Sequence, residues 1–189
     1  KEIEKDIELL NSQVDRCNEI LKRLTLNPVE EDEFIDKDIN IRDYLSEIIS
    51  SFKEISKKDF IFNFDQDSNP KKITKSIEIV YGLRNFIGNA NKFAKNTIFI
   101  NLKSDSEMTE INVEDDGNGY PRDIISKIGE PYLKSNYSKD KSKEGLGLGL
   151  FIGKTLLEKN FASVNCRNSK IRSGAEVNIK WTNRELFNI

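Results

Sequence analysis

Histidine is absent from all 189 residues of this chain, which contains only two cysteines and one methionine. Without an imidazole, the chain has no histidine general base and no hydrolase triad that depends on one. Cys17 and Cys166 stand far apart in the sequence and form no C-x-x-C pair, which argues against a disulfide scaffold or a zinc site. We therefore expect a reducing compartment and chemistry that uses other residue types.

Long apolar runs and an excess of charge of one sign are also missing. No stretch approaches the about 20 apolar residues that cross a bilayer, and no signal-peptide pattern opens the chain. We therefore expect this chain to be cytoplasmic and not inserted in a membrane. The 30 Lys and Arg residues nearly balance 32 Asp and Glu residues, with a formal net charge of −2. Such a balance provides no broad field for nucleic acid, so we expect no nucleic-acid partner.

Residues 1–27 carry an apolar heptad pattern that predicts one continuous helix in need of a partner helix. Its apolar positions are Ile3, Ile7, Leu10, Val14, Cys17, Leu21 and Leu24. Pro28 disfavours helix in the residue before it, so we divide the chain into this helix and a domain at 28–189. Because the chain opens on Lys1 within the helical pattern and Met108 is its only methionine, we expect the natural protein to continue upstream.

The pattern of residues 28–189 predicts an α+β fold, a two-layer sandwich with a mixed sheet and helices on one face. Helical periodicity predicts helices at 40–55, 76–95 and 149–159. Alternating apolar residues predict a strand at 60–64 and hairpins at 98–113 and 162–181. The apolar stripe assigned to the second helix comprises Ile73, Ile77, Val80, Leu83, Ile87, Ala90 and Ala94.

The same helix has a polar stripe, formed by Asn85, Asn89, Lys92 and Asn96. Asparagine is a poor helix former, so three asparagines there favour a specific role. An amide oxygen is a neutral ligand suited to Mg²⁺ already bound to phosphates, and Lys92 can meet a phosphate charge. The alternative is an asparagine-rich surface without a ligand.

An acidic glycine turn, Asp115-Asp116-Gly117-Asn118-Gly119, follows the end of a predicted strand. Its glycines would let a flat ligand lie against the backbone, and the Asp115 carboxylate can accept a hydrogen bond from an exocyclic amine such as adenine N6. The alternative is an ordinary acidic turn.

A second glycine pattern leads directly into the helix predicted at 149–159. It consists of Gly145, Leu146, Gly147, Leu148, Gly149 and Leu150. A glycine-rich turn at a helix N-terminus presents free N–H groups that can hold phosphate. A hinge without a ligand is the alternative.

Together with Gly129-Glu130-Pro131-Tyr132, these three motifs resemble, in order, the N, G1, F and G2 boxes of the GHKL ATPase superfamily, over roughly residues 30–182. The front helix and residues 81–90 and 173–177 further resemble sensor histidine kinases of the RegB/PrrB type. The resemblance implies an enzyme that uses ATP and Mg²⁺, dimerises through the front helix and serves a response-regulator receiver domain. It also allows a full-length protein anchored in the bacterial inner membrane.

For the base of the nucleotide, the resemblance implies that Asp115 reads adenine N6, while Gly117 and Gly119 permit close approach. Phe93 would border the pocket and Tyr132 would pin the lid over ATP. The chain departs from the family pattern at two positions, Ala175 and Leu133.

For the phosphates, the resemblance implies Asn89 as the Mg²⁺ ligand, Lys92 as a phosphate contact and Asn85 as support for the metal and the reacting phosphate. The backbone of residues 145–150 would wrap the phosphates. In hydrolysing relatives a glutamate stands at the position of Asn85. An amide cannot take a proton from water, so phosphoryl transfer is favoured over hydrolysis.

The chain has no histidine to phosphorylate, so the resemblance implies an acceptor histidine outside it. A non-catalytic adaptor module, that is, a degenerate kinase, is the alternative. A serine kinase of the anti-sigma type would share the boxes but not the heptad helix. Cys17 is either a small buried hydrophobe or a redox-sensitive link between paired helices, and Cys166 is interpreted as structural.

Overall fold

A computed structural model describes residues 39–65, 72–73, 76–132 and 148–186. The chain separates after Asp36 into two compact units, and every described residue belongs to the second, Lys37–Ile189. The helix predicted at 1–27, with Cys17, and the boundary at residue 28 lie outside the described residues and stay predictions. Within the described ranges, no helix is both long enough and apolar enough to cross a membrane.

Strands and helices follow one another in the order of an α+β domain. They are β1 (Ile39–Asn40), α1 (Ile41–Lys53), β2 (Asp59–Phe64), β3 (Lys72–Ile73), α2 (Ile77–Phe93), β4 (Thr97–Ser104), β5 (Met108–Asp115), α3 (Arg122–Ile125), α4 (Gly149–Lys159), β6 (Ser163–Asn168), β7 (Ala175–Thr182) and α5 (Asn183–Leu186). The main sheet has the order β2-β4-β5-β7-β6, and β1 pairs with β3 separately. Strands β2 and β4 are parallel and the other neighbours are antiparallel, so the predicted mixed sheet is confirmed.

Helix α1 begins where the sequence predicts, because the Asn40 side chain accepts a hydrogen bond from the Arg42 N–H at 2.8 Å. The helix ends at Lys53, two residues before the predicted end. Its buried face includes Tyr44, which the apolar periodicity does not predict. The Tyr44 hydroxyl donates to the carbonyl oxygen of Ser76 at 3.0 Å and so fastens α1 to the start of α2.

Helix α2 is shorter than its apolar stripe predicts. Ile73 is not part of it, because Ile73 lies in β3 opposite Ile39 and Ser76 caps the helix. At the other end, Ala94 leaves the helical conformation with ψ 150°. Buried residues extend beyond the predicted stripe to Ile79 and Phe86, because α2 packs against both the sheet and α4.

The two faces of the sheet differ in chemistry. The face under the helices is apolar and includes Ile98, Ile100, Leu102, Ile111, Val113, Val177 and Ile179. On the open face, a row of asparagines crosses all five strands in register: Asn63, Asn101, Asn112, Asn178 and Asn165. Asparagine is therefore a frequent surface residue of this protein, and its presence alone does not mark a ligand site.

Helices α2 and α4 approach each other at two glycines. A Cβ atom added to Gly82 would lie 2.5 Å from Cγ of Leu157, and one added to Gly153 would lie 3.1 Å from Cβ of Asn85. The added Cβ of Gly153 would also lie 3.3 Å from the carbonyl oxygen of Gly82, so the two backbones are in close contact. This packing places the N-terminus of α4 beside the polar face of α2.

We predict that Gly82→Ala destabilises the domain by about 1–3 kcal/mol, because the new methyl group collides with buried Leu157. Gly88→Ala is the matched control on the same helix, since its Cβ would lie at an ordinary 3.5 Å from the Phe52 ring. Alanine favours helix over glycine by about 1 kcal/mol, so the control should be neutral or stabilising. Urea unfolding of both variants measures the difference. A stabilised Gly82→Ala protein would contradict the proposed packing.

Candidate functional site

The polar face of α2 is formed by Asn85, Asn89 and Lys92, all half-buried. Asn96 is not part of this face, contrary to the sequence-based prediction. The helix ends at Phe93, and Asn96 lies in the following turn, where its side chain is exposed. The helical stripe therefore consists of three side chains, with Phe93 at its C-terminal end.

Asn85 lies next to the N-terminus of α4. Its Nδ2 group donates to the carbonyl oxygen of Tyr81 at 2.8 Å, so its Oδ1 atom is the acceptor that remains. A Cβ atom added to Gly149, the first residue of α4, would lie 3.6 Å from this Oδ1 atom. The amide oxygen and the start of α4 therefore share one site.

The N-terminus of α4 begins without a capping side chain, because the N-cap residue is Leu148. The first N–H groups of a helix have no partner within the helix, and together with the helix dipole they attract anions. Leu148, Gly149 and Leu150 are half-buried at this end. The predicted phosphate contacts of Gly145, Leu146 and Gly147 lie outside the described residues.

Asp115 ends strand β5 and is only 3% exposed. Its Oδ1 atom accepts hydrogen bonds from the N–H groups of Gly117 at 2.8 Å and Ala175 at 3.2 Å. Burial raises the pKa of the Asp115 carboxyl, and these two hydrogen bonds partly oppose the rise. Among the described residues both hydrogen bonds are accepted by Oδ1, so Oδ2 is the atom suited to accept from a ligand.

Gly174 packs directly against Asp115. It was not among the predicted site residues. A Cβ atom there would lie 1.9 Å from the carbonyl oxygen and 2.4 Å from Oδ1 of Asp115, so only glycine fits. The available sequence signal was the resemblance of residues 173–177 to sensor histidine kinases, and periodicity gives no indication that Gly174, just before strand β7, lies against Asp115.

The glycines of the Asp115 turn are required by contacts within the protein. A Cβ atom on Gly117 would lie 2.5 Å from the carbonyl oxygen of Phe93, at the end of α2. Gly119 has φ +72°, in the left-handed region that favours glycine. The approach of a ligand, expected from the sequence, stays a prediction, and the structure adds that packing and backbone conformation also require glycine at these positions. Phe93, whose backbone lies against this turn, is 45% exposed.

The Asp116 side chain connects the turn at residues 115–120 to the residues that follow α2. Its Oδ1 atom accepts hydrogen bonds from the N–H groups of Lys95 at 2.7 Å and Asn96 at 3.0 Å. Partial burial raises the pKa of Asp116, but the backbone N–H groups outweigh this effect and lower the pKa overall. On the other side of the same segment, the Lys58 ammonium donates to the carbonyl oxygen of Ala94 at 2.6 Å.

Two further predicted residues, Tyr132 and Cys166, lie in very different environments. Tyr132 is 57% exposed, with φ +61°. Burial raises the pKa of Cys166 to about 11, so its thiol is a poor nucleophile and fits the structural role predicted for it. Within the described ranges, no group of three or more acidic, cysteine or histidine side chains could hold a metal ion.

Residues 74–185 match the family described as histidine kinase-, DNA gyrase B-, and HSP90-like ATPase. Because this match covers more than half of the sequence, the chain belongs to that ATPase family. The chain is 31% identical over 194 residues to the sensor histidine kinase RegB of Cereibacter sphaeroides. It is also 31% identical over 99 residues to the sensor protein RstB of Escherichia coli. The first match covers 93% of this chain and 42% of RegB, and the second covers 52% and 23%. This chain therefore spans less than half the length of these relatives.

Solved structures of histidine kinases share the fold. The catalytic domain of ThkA superimposes with a TM-score of 0.62 at 20% identity, over 77% of this chain and 95% of that domain. The mycobacterial sensor histidine kinase MprB gives a TM-score of 0.63 at 16% identity, over 77% and 96%. Full-length ShkA in complex with AMPPNP gives 0.64 at 20% identity, over 96% of this chain and 39% of ShkA. The predicted sandwich is thus confirmed as the fold of this ATPase family.

We predict that Asp116→Asn lowers the free energy of unfolding at pH 7 by about 1–3 kcal/mol, because the hydrogen bonds lose their charged acceptor. Folding lowers the pKa of Asp116, so its carboxylate stabilises the fold above the unfolded pKa of about 3.9. That stabilisation is lost as the pH falls through the lower folded value. The difference between wild type and variant should therefore shrink below about pH 4 in urea titrations.

The exposed carboxyl of Asp59 supplies the control for this titration. Asp59→Asn should change the stability by no more than about 0.5 kcal/mol at pH 7, as is usual for surface substitutions. A difference between wild type and Asp116→Asn that stays constant down to pH 3 would show that the charge of Asp116 does not support the turn.

Proposed function

We propose that this chain binds ATP with Mg²⁺ and transfers the γ-phosphoryl group to a histidine outside it, as the catalytic part of a two-component sensor histidine kinase. The observation that carries this proposal is the position of the Asn85 amide oxygen beside the uncapped N-terminus of α4. This arrangement brings an acceptor suited to a metal and donors suited to phosphate into one place. Family membership and the similarity to sensor histidine kinases support it.

The nucleotide would lie along the polar face of α2. Asn85 and Phe93 are eight residues apart, about 12 Å along the helix axis. At the Phe93 end, adenine would meet Oδ2 of Asp115 through its N6 amine and rest beside the exposed Phe93 ring, with Tyr132 closing from the lid. At the Asn85 end, the phosphates would meet the N-terminus of α4 and the glycine-rich sequence before it.

The side chains suit a magnesium ion that arrives with the nucleotide. Asn89 lies one helical turn from Asn85 and offers a neutral amide oxygen, while the phosphates supply the remaining charged ligands. The described residues provide no acidic cluster that would hold the ion without nucleotide. When bound, the ion would neutralise phosphate charge, and Lys92 would add a second positive charge on the same face of α2.

Phosphoryl transfer would depend on position and charge neutralisation. Asn85 orients its amide oxygen toward the phosphate end but cannot accept a proton from water, so the site favours transfer to an acceptor over hydrolysis. We further propose a cytoplasmic domain that acts as a homodimer joined through residues 1–27 and serves a response-regulator receiver domain. We also propose that Cys17 is a redox-sensitive link between the paired helices of this dimer.

We predict that the chain binds ATP·Mg²⁺ and that Asn89→Ala weakens this binding at least about tenfold, because the metal loses the amide oxygen that ligates it directly in this proposal. Calorimetric titration with and without Mg²⁺ measures the effect. Asn101→Ala is the matched control, since Asn101 lies on the open face of the sheet, away from α2. Equal ATP affinity in the Asn89→Ala protein and the wild type would contradict the metal assignment.

We predict that the chain hydrolyses ATP slowly but phosphorylates a separate polypeptide bearing the first dimerisation helix and its histidine. Labelling with γ-³²P-ATP, followed by tests of acid lability, detects a phosphohistidine. A second polypeptide with that histidine replaced by alanine is the control. Bound ATP without labelling would favour a non-catalytic adaptor, and rapid ATP hydrolysis would contradict the role proposed for Asn85.

A further inference from the structure

Asn168, the last residue of β6, forms hydrogen bonds through its side chain to the backbone of Tyr120. Its Oδ1 atom accepts a hydrogen bond from the N–H group of Tyr120 at 2.6 Å. Its Nδ2 group donates to the carbonyl oxygen of Tyr120 at 3.0 Å. One carboxamide thus satisfies both backbone groups of Tyr120, in the pattern of a hydrogen-bonded pair in an antiparallel sheet.

The same side chain packs directly against Gly119. A Cβ atom on Gly119 would lie 2.6 Å from Oδ1 and 2.9 Å from Cγ of Asn168, so any side chain there would displace the carboxamide. Gly119 also has φ +72°, which disfavours other residues. The geometry of residues 117–120 and the position of Asn168 therefore depend on each other.

The turn at residues 115–120 is consequently held at two points. On one side, Asp116 binds the N–H groups of Lys95 and Asn96 after α2. On the other side, Asn168 binds Tyr120 from strand β6. Between these points lie Gly117 and Gly119, which have more backbone freedom than any other residue type and lose more entropy when they are ordered.

We propose that Asn168 is a positioning residue for recognition of the adenine base. It touches no part of the nucleotide in the binding mode proposed above, and it acts by holding the turn in which Gly117 hydrogen-bonds the Asp115 carboxylate. Without Asn168, a smaller fraction of molecules would present Asp115 and Gly117 correctly, and the apparent affinity would fall by that fraction. This inference rests on the proposed function.

The effect should be confined to the base end of the nucleotide. The turn of residues 115–120 surrounds Asp115, whereas the phosphate end is formed by Asn85 and the N-terminus of α4. The guanine of GTP has an oxo group where adenine has its N6 amine, so it cannot donate a hydrogen bond from this position to the Asp115 carboxylate. Loss of Asn168 should therefore weaken ATP binding more than GTP binding.

The test measures ATP and GTP affinities, by competition with a fluorescent ATP analogue, together with the melting temperature of the full 189-residue chain. Asn168→Ala should raise the ATP Kd about three- to tenfold and reduce the preference for ATP over GTP by the same factor. Asn168→Asp keeps the Oδ1 acceptor but turns an oxygen toward the Tyr120 carbonyl, and it should show a similar loss. Asn165→Ala, on the opposite face of β6, is the matched control and should leave all three quantities unchanged.

An unchanged ATP Kd in both Asn168 variants would overturn the inference. A parallel loss of ATP and GTP affinity with a lowered melting temperature would also overturn it, since that pattern indicates a general effect on stability. Equal affinity of the wild type for ATP and GTP would exclude base reading by this turn. Failure of the wild type to bind ATP at all would instead overturn the proposed function itself, and this inference with it.

Discussion

The contact between helices α2 and α4 at Gly82 and Gly153 is the constraint on which the candidate site depends. Side chains normally hold packed helices about 8–10 Å apart, and glycines allow a closer approach. Here the approach brings the first turn of α4 beside Asn85. The anion-attracting end of one helix thereby lies beside the Asn85 amide oxygen of the other, although neither helix carries a site alone.

The buried carboxylate of Asp115 sets a second constraint. Burial of a charge destabilises the folded state unless hydrogen bonds compensate for the lost hydration. The N–H groups of Gly117 and Ala175 satisfy Oδ1, and the pKa of Asp115 is still raised. A ligand that donates a hydrogen bond to Oδ2 would compensate further for the lost hydration of the carboxylate. The burial that destabilises the free protein would therefore favour binding of such a ligand. Asp116, next in sequence, has the opposite pKa shift because backbone N–H groups dominate its surroundings.

Sequence reasoning succeeded where a local pattern has one physical cause. Alternation and helical periodicity predicted the main sheet and the three long helices, because burial on one face demands these periods. The same reasoning failed where a distant contact overrides the pattern. Ile73 continues the apolar period of α2 but lies in β3, because Ser76 caps the helix and Ile73 aligns with Ile39. Asn96 continues the polar period, yet the helix ends before it at Phe93, because Ala94 leaves the helical conformation.

The sequence by itself determined the elements of this protein and the residue types suited to bind a nucleotide, because amphipathic periods, caps and glycine turns are local properties. Only the tertiary structure decided which of these residues meet. Gly174 and Asn168 are distant in sequence from the turn at 115–120, and nothing in their own neighbourhood shows that they hold it. Their role arises because the register of β5, β6 and β7 brings the strand ends together, and register is a property of the whole sheet.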